Sequence, residues 1–334
     1  MKYFYIYLFL FINISLFSAQ DIHFSQPTTS PLQINPAWGG LFGGDVRLTA
    51  NYRSQWQAVP VPYRTINISA ETHLLAKKLK NDVFGVGLAL FHDKAGDSEL
   101  THLKTTVSLN YAKRIDKLNF ISIGAQTGWG QRSLNTKKLY FDRQFNGDIF
   151  DPNSSTGESF VGLQTSYIDV STGINWLFQK DMRNKSNIGI AVYHLNTPSI
   201  SFFENGDIKL PLRLSAIWSS SFRLNSVTDI LPLAMYQKQN TYQEVYAGAA
   251  FRYWLNQKKG VESAFHIGSY YRLNDAIVAM FGVQYSVWEA RLSYDINTSA
   301  FKKATNGRGG VEVSLIYING KPQKPRDIRR CPVL

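Results

Sequence analysis

The chain has 334 residues, with 36 basic and 24 acidic side chains for a net charge of +12, and 14% of its residues are aromatic. That length fits one large β domain or two smaller ones, and a single cysteine, Cys331, excludes an internal disulfide and a cysteine zinc cluster. The cationic surplus favours anionic partners, but Lys and Arg are spread along the chain with no basic helix and no nucleic-acid motif, so nucleic acid is not expected among them.

Residues 1–19 read MKYFYIYLFLFINISLFSA. Lys2 supplies a positive start, the run to Phe17 is apolar apart from Asn13 and Ser15, and Ser18 and Ala19 offer a small-residue exit. This predicts a secretory signal peptide cut before Gln20, and no cysteine follows to make it a lipoprotein leader. Without Lys2 the chain keeps 35 basic against 24 acidic residues, a net +11. A spanning helix needs about 20 apolar residues, and no later stretch comes close. A membrane protein with this sequence must therefore cross by strands.

Residues 20–44 are rich in Pro and Gly and read as a periplasmic N-terminal segment ahead of the first strand. A period of two then sets in. Val46, Leu48, Ala50 and Tyr52 share one parity, while Arg47, Thr49, Asn51 and Arg53 share the other. The same alternation recurs through the chain and predicts about fourteen strands, near 45–53, 64–72, 83–93, 101–113, 118–131, 167–178, 187–195, 210–223, 229–238, 242–254, 262–273, 276–286, 288–296 and 310–319. Helical periodicity is missing, apart from a short stretch at 74–79.

These segments fit an all-β fold, a transmembrane antiparallel barrel over 45–319. A cation on the lipid face near the midplane costs roughly 2–4 kcal/mol, so Arg47, Asn51 and Arg53 are expected to line the interior. Glu71, Asp169, Asp295 and Glu312 lie on the polar parity of their own strands and are the natural partners. A soluble β-sandwich also alternates. The leader, the aromatic residues at strand ends and the loop asymmetry favour the barrel. Long connections follow odd strands, at 54–63, 132–166, 196–209 and 297–309, and even strands mostly end in tight turns. In an outer-membrane barrel the long loops face outward and the turns face the periplasm. Both termini, including a basic tail at 320–334, are then expected in the periplasm.

Catalytic motifs are missing: there is no G-x-S-x-G, P-loop, dinucleotide fingerprint or H-E-x-x-H. The six histidines, His23, His73, His92, His102, His194 and His266, lack metal-ligand spacing. The stretch from Asp142 partly matches a calcium loop, but Asn153 stands where a bidentate glutamate belongs. No enzyme, cofactor or metal site is expected.

Several stretches together resemble the PorP/SprF family of the Bacteroidetes type IX secretion system: "QDIHFSQPTTSPLQINPAWGG" with "RLTANYRSQW", "VYHLNTPSISF", "LPLRLSAIW", "LSYDINTSAF" with "NGRGGVEVSLIYI", and the terminal "RRCPVL". The resemblance covers the mature chain in order and implies a non-enzymatic outer-membrane barrel attached to that machinery. It further implies partners: a secreted surface protein with a C-terminal sorting domain, a periplasmic lipoprotein or secretion-ring component, and outer-membrane lipid. In gliding bacteria such a barrel supports display of an adhesin. Candidate partner-binding residues fall on these stretches at Asn35, Pro36, Arg53, Gln55, Trp56, His194, Asn196, Arg329 and Arg330. The segment 21–44 and the tail are expected to face the machinery, and the loops 132–166 and 196–209 the cargo. A pore or transporter for small solutes is the alternative, since a barrel allows either.

Overall fold

The alternation of apolar and polar residues becomes fourteen strands: β1 Val46–Gln55, β2 Tyr63–Leu74, β3 Val83–Ala95, β4 Leu100–Arg114, β5 Asn119–Ser133, β6 Gln164–Gln179, β7 Lys185–Tyr193, β8 Arg213–Arg223, β9 Thr228–Gln239, β10 Tyr242–Asn256, β11 Ser263–Arg272, β12 Ala276–Tyr285, β13 Trp288–Asn297 and β14 Arg308–Asn319. In this computed structural model the described residues are 21–55, 63–75, 79, 81–136, 139–158, 162–203, 206–258, 260–299 and 302–319. The expected leader, Trp56, residues 76–78 of the stretch at 74–79, and the tail with Arg329, Arg330 and Cys331 lie outside them.

Each strand pairs antiparallel with its chain neighbours, and β1 closes on β14 from Val46 opposite Asn319 to Gln55 opposite Gly310. The result is the expected closed barrel. Closure removes free strand edges, so every strand finds ladder partners on both sides without water. Among the described residues no helix is long and apolar enough to cross a membrane.

The two parities separate as their chemistry requires. Leu48, Ile68, Leu88, Leu109, Ile123 and Ile174 stand outward and exposed. Outward aromatic residues mark both rims, with Tyr52, Trp129, Tyr271 and Tyr294 toward one end and Trp176, Tyr253, Tyr285 and Trp288 toward the other. Such rings suit the headgroup levels of a bilayer. Inward, the expected ion pairs form. Arg47 meets Glu71 at 2.8 Å, Arg53 meets Asp295 at 2.7 Å and Glu312 at 3.1 Å, and Lys104 meets Asp169. All these residues are buried, where an unpaired charge would cost several kcal/mol.

Connections after odd strands collect at one end of the barrel, hereafter the loop end, and those after even strands at the turn end. The loop between β7 and β8 folds inward at the loop end, where Ile200 and Leu210 pack with Tyr167. The segment before β1 departs from expectation. It was expected as a periplasmic arm, but Phe24, Leu32, Ile34, Trp38, Leu41 and Phe42 are all buried, and the segment occupies the lumen. The physical reason is legible afterwards: residues 24–44 hold no charged side chain, in a protein of net charge +12. A solvated arm has no need to exclude charge, whereas a segment enclosed by strands does.

Candidate functional site

The lumen segment, here called the plug, runs the length of the barrel. Its first described residue, Asp21, lies at the loop end. The Asp21 carboxylate contacts His194 Nε2 at 2.7 Å and Arg213 at 3.3 Å, and its backbone N–H donates to Gln239. His194 Nδ1 lies 2.8 Å from Asp169 on the other side of the ring. Burial works against a charge on the His194 ring, yet the flanking Asp21 and Asp169 carboxylates raise its pKa above the ordinary imidazole value. Burial likewise opposes ionisation of Asp21, but His194 and Arg213 hold its carboxyl well below the usual range.

One step deeper, Ser25 sits inside a cage of charge. Its backbone N–H donates to Glu312 at 2.6 Å and its hydroxyl to Asp295 at 2.6 Å. The hydroxyl also accepts from Arg53 and, at 3.0 Å, from Arg272. Tyr246 donates its hydroxyl to the Ser25 carbonyl. Two guanidinium groups and two carboxylates from β1, β11, β13 and β14 thus converge on one plug residue.

In the middle, prolines break the segment into three short turns, Pro27–Thr29, Pro31–Ile34 and Pro36–Trp38. Pro has no N–H to leave unsatisfied and its fixed φ suits a first helical position, so each Pro starts a turn. The barrel wall receives these turns through missing side chains. A Cβ at Gly124 would fall on the backbone of Pro36 and Ala37, one at Gly173 on the Asn35 amide, and one at Gly85 on the Gly39 carbonyl. The Asn35 side chain accepts from the Ala37 N–H at 2.8 Å and donates to the Ile174 carbonyl at 3.0 Å. The Trp38 indole N–H donates to Asn175 at 2.9 Å. On its opposite face the plug places Ile34 and Trp38 in an apolar cluster with Ile217, Leu233, Met235, Tyr246 and Val278.

At the turn end Gly40 N–H donates to Glu71, Phe42 lies under the Arg47 guanidinium at 4.8 Å, and the chain enters β1. Toward that end a cavity of about 640 Å³ remains between the plug and the inner wall of β7–β14.

The candidate residues divide accordingly. Asn35, Pro36, Arg53 and His194 were expected at a partner surface. The structure buries all four and gives them to the plug and its latches, since side chains enclosed this fully present no outer face in this state. Gln55 pairs across to Gly310 at the end of β1. Asn196 is exposed and bonds the β6 backbone at Ile168 and Val170, closing the strand where β7 has ended. The sequence reading missed Ser25, Trp38 and the glycine slot. The signal available was the run of inward-parity glycines at 85, 87, 124, 173 and 189, set against a charge-free, proline-rich segment.

Among the described residues no group of histidine, cysteine and carboxylate side chains could hold a metal ion. The arrangement can obstruct the lumen and hold a shape at each end of the barrel. The family model "Type IX secretion system membrane protein PorP/SprF" matches residues 16–317. No curated protein sequence matches the chain. Among solved structures, the Ralstonia pickettii toluene transporter TbuX is similar at 11% identity and a TM-score of 0.49, over 86% of this chain and 92% of that one. The Pseudomonas putida toluene transporter TodX is similar at 8% identity and 0.49, over 84% and 91%. A Pseudomonas aeruginosa FadL homologue is similar at 11% identity and 0.47, over 85% and 98%.

Proposed function

The chain belongs to the PorP/SprF family of type IX secretion system membrane proteins, and we propose that it serves this machinery as a closed docking barrel of the outer membrane. It is delivered by a cleaved leader and works without catalysis. Its turns face the periplasm and its long loops face outward. The loop end holds a secreted surface protein with a C-terminal sorting domain, adhesin-like in a gliding cell. The turn end meets a periplasmic lipoprotein or a component of the secretion ring. One observation carries this reading: the plug occupies the lumen from the Asp21 latch to the first residue of β1, tied by buried charge at the loop end and at Glu71. A barrel filled along its axis is suited to holding partners at its two ends.

In this orientation the plug begins at the outer side, so Asp21 and Asn319, the first and last described residues, lie at opposite ends of the barrel. Both termini on the periplasmic side were expected; Asp21 beside His194 and Gln239 supports an outer position for the start of the plug instead, while Asn319 ends on the expected side.

The alternative, a pore or transporter for small solutes, draws on the cavity beside the plug. Two measurements on the same protein separate the readings. The tagged barrel, solubilised from outer membranes, should bring down a large secreted protein or a peptidoglycan-linked lipoprotein, and liposomes carrying it should not swell in small sugars. A partner-free barrel that swells liposomes would replace docking by transport.

A further inference from the structure

The cavity at the turn end is built differently from the rest of the lumen. Trp38, Leu233, Met280 and Tyr270 give it an apolar wall. Set into its rim and sides are donors the barrel does not use. Arg252 commits Nε and Nη2 to Asp229, and Nη2 also to Ser221. Arg291 commits Nε to Glu289 and Nη1 to Thr28. Among the described residues Nη1 of Arg252 and Nη2 of Arg291 have no hydrogen-bond partner. His266, which lines the cavity, is 1% exposed, and among the described residues neither of its ring nitrogens makes a close hydrogen bond, with the Gln284 side chain beside it and Glu289 3.8 Å away. Buried polar atoms are nearly always satisfied, so an orphaned imidazole aimed into a cavity asks for an occupant.

The surface around the mouth repeats the pattern. Arg183 donates to the carbonyls of Asn225 and Ser226 and to Gln257, which joins the β6–β7, β8–β9 and β10–β11 turns into one platform. Lys180, Arg223 and Lys258 stand exposed on it, and none has a carboxylate partner among the described residues. The nearby Asp181 accepts from the Arg183 and Asn184 N–H groups, which shapes its own turn, and offsets part of the charge of Lys180 beside it. A small amphiphile in the cavity would leave these three cations untouched. An extended anionic chain reaches both.

We propose that the turn-end cavity and the platform beside it form one binding site for an acidic peptide segment of a partner protein. Aromatic or aliphatic side chains of the segment enter beside Trp38, Leu233 and Tyr270, and its carboxylates meet Arg252, Arg291 and His266 inside and Lys180, Arg223 and Lys258 outside. Apolar anchoring with a few placed polar groups is the usual make-up of a ligand site, and the charge outside steers the approach. The proposal rests on the docking reading and names the chemistry of its turn-end partner.

The test is fluorescence anisotropy on the full chain in phosphatidylcholine nanodiscs, with empty nanodiscs as blank. The probe is a fluorescein-labelled peptide of alternating glutamate and phenylalanine, and the control alternates lysine and phenylalanine. The acidic peptide should bind, more weakly as salt rises, and the basic one should not. Two variants divide the site: Lys180→Glu with Lys258→Glu reverses the platform, and Ser219→Trp fills the cavity from a position that makes no side-chain hydrogen bond among the described residues. Each should weaken binding by about tenfold or more while leaving the unfolding midpoint in place. Equal binding of both peptides, or full binding by the Ser219→Trp protein, overturns the proposal. So does saturable binding of dodecanoate with no peptide binding, which makes the cavity a small-amphiphile site. A partner recovered in the outer-membrane pull-down without any peptide binding removes this site and leaves the docking reading standing.

Discussion

The two walls of the lumen hold the same plug by different means. The wall of β3–β7 holds it by shape: glycines at 85, 124 and 173 open a slot, and Asn35 and Trp38 fill it with hydrogen bonds to backbone and amide groups. The wall of β8–β14 holds it by charge at the loop end, through Arg272, Asp295 and Glu312 around Ser25, and by an apolar cluster on Ile34 and Trp38, and withdraws from it toward the turn end, where the cavity lies. The difference teaches where each wall tolerates change. A shape contact fails when volume is added, an ionic contact fails when one charge is removed, and a cavity wall accepts both.

The largest effect is expected at the ionic contact. Arg53→Met leaves Asp295 and Glu312 facing each other, buried, with only Arg272 to answer them, and should cost about 3–5 kcal/mol. Urea unfolding of the barrel in lipid reads this directly, and a loss below 1 kcal/mol would mean that water reaches the cage. Next comes the slot. Gly124→Val drives a side chain into the Pro36–Ala37 backbone, and overpacking of this kind costs about 1–3 kcal/mol or expels the turn. Expulsion would show as a protease-sensitive Pro36–Trp38 segment in an otherwise folded barrel. Asn35→Ala removes the cap of that turn and leaves the Ala37 N–H unpaired, for about 1–2 kcal/mol in the same unfolding assay.

The latch at Asp21 gives a smaller, local effect that depends on pH. The folded-state pKa of His194 is raised, so its contribution is complete below the ordinary value of 6.5 and fades as pH rises through the raised value. Asp21 stays ionised throughout, since its own pKa is depressed. Amide exchange near Asp21 should therefore quicken on the alkaline side while the glycine slot keeps its protection. Uniform loss along the plug would contradict a local latch. The smallest effect is expected from Ser219→Leu on the cavity wall, within about 0.5 kcal/mol in either direction. The same added bulk that Gly124 cannot accept should pass here, and a cost like that of Gly124→Val would erase the distinction between the walls.

Much of this was legible in the residues. Strand positions and the sorting of Arg47, Arg53 and Glu71 inward follow from a period of two and the cost of a cation in lipid. That these cations meet carboxylates follows too, since Glu71, Asp169, Asp295 and Glu312 share the inward parity, but which carboxylate each one meets is set by the register between strands. The plug was not legible by the same logic. Periodicity describes elements that repeat, and residues 24–44 repeat nothing. Their placement depends on an agreement between two distant features, a segment without charge and a patch of inward glycines on β3, β5, β6 and β7. His194 shows the limit clearly. Its family stretch was recognised, yet its task is to hold Asp21, 173 residues earlier in the chain. No local pattern carries that pairing.

The central claim is that the segment before β1 is the packed core of the barrel. Hydrogen–deuterium exchange with mass spectrometry on the native chain in nanodiscs tests it without any mutation. The backbone N–H groups of Ser25, Gln26, Ser30, Asn35, Ala37, Trp38 and Gly40 are all hydrogen-bonded within the lumen. Peptides covering 24–42 are therefore predicted to exchange as slowly as β4 and β5. Exchange of those peptides within seconds, beside protected strands, would place the segment outside the barrel and contradict the account.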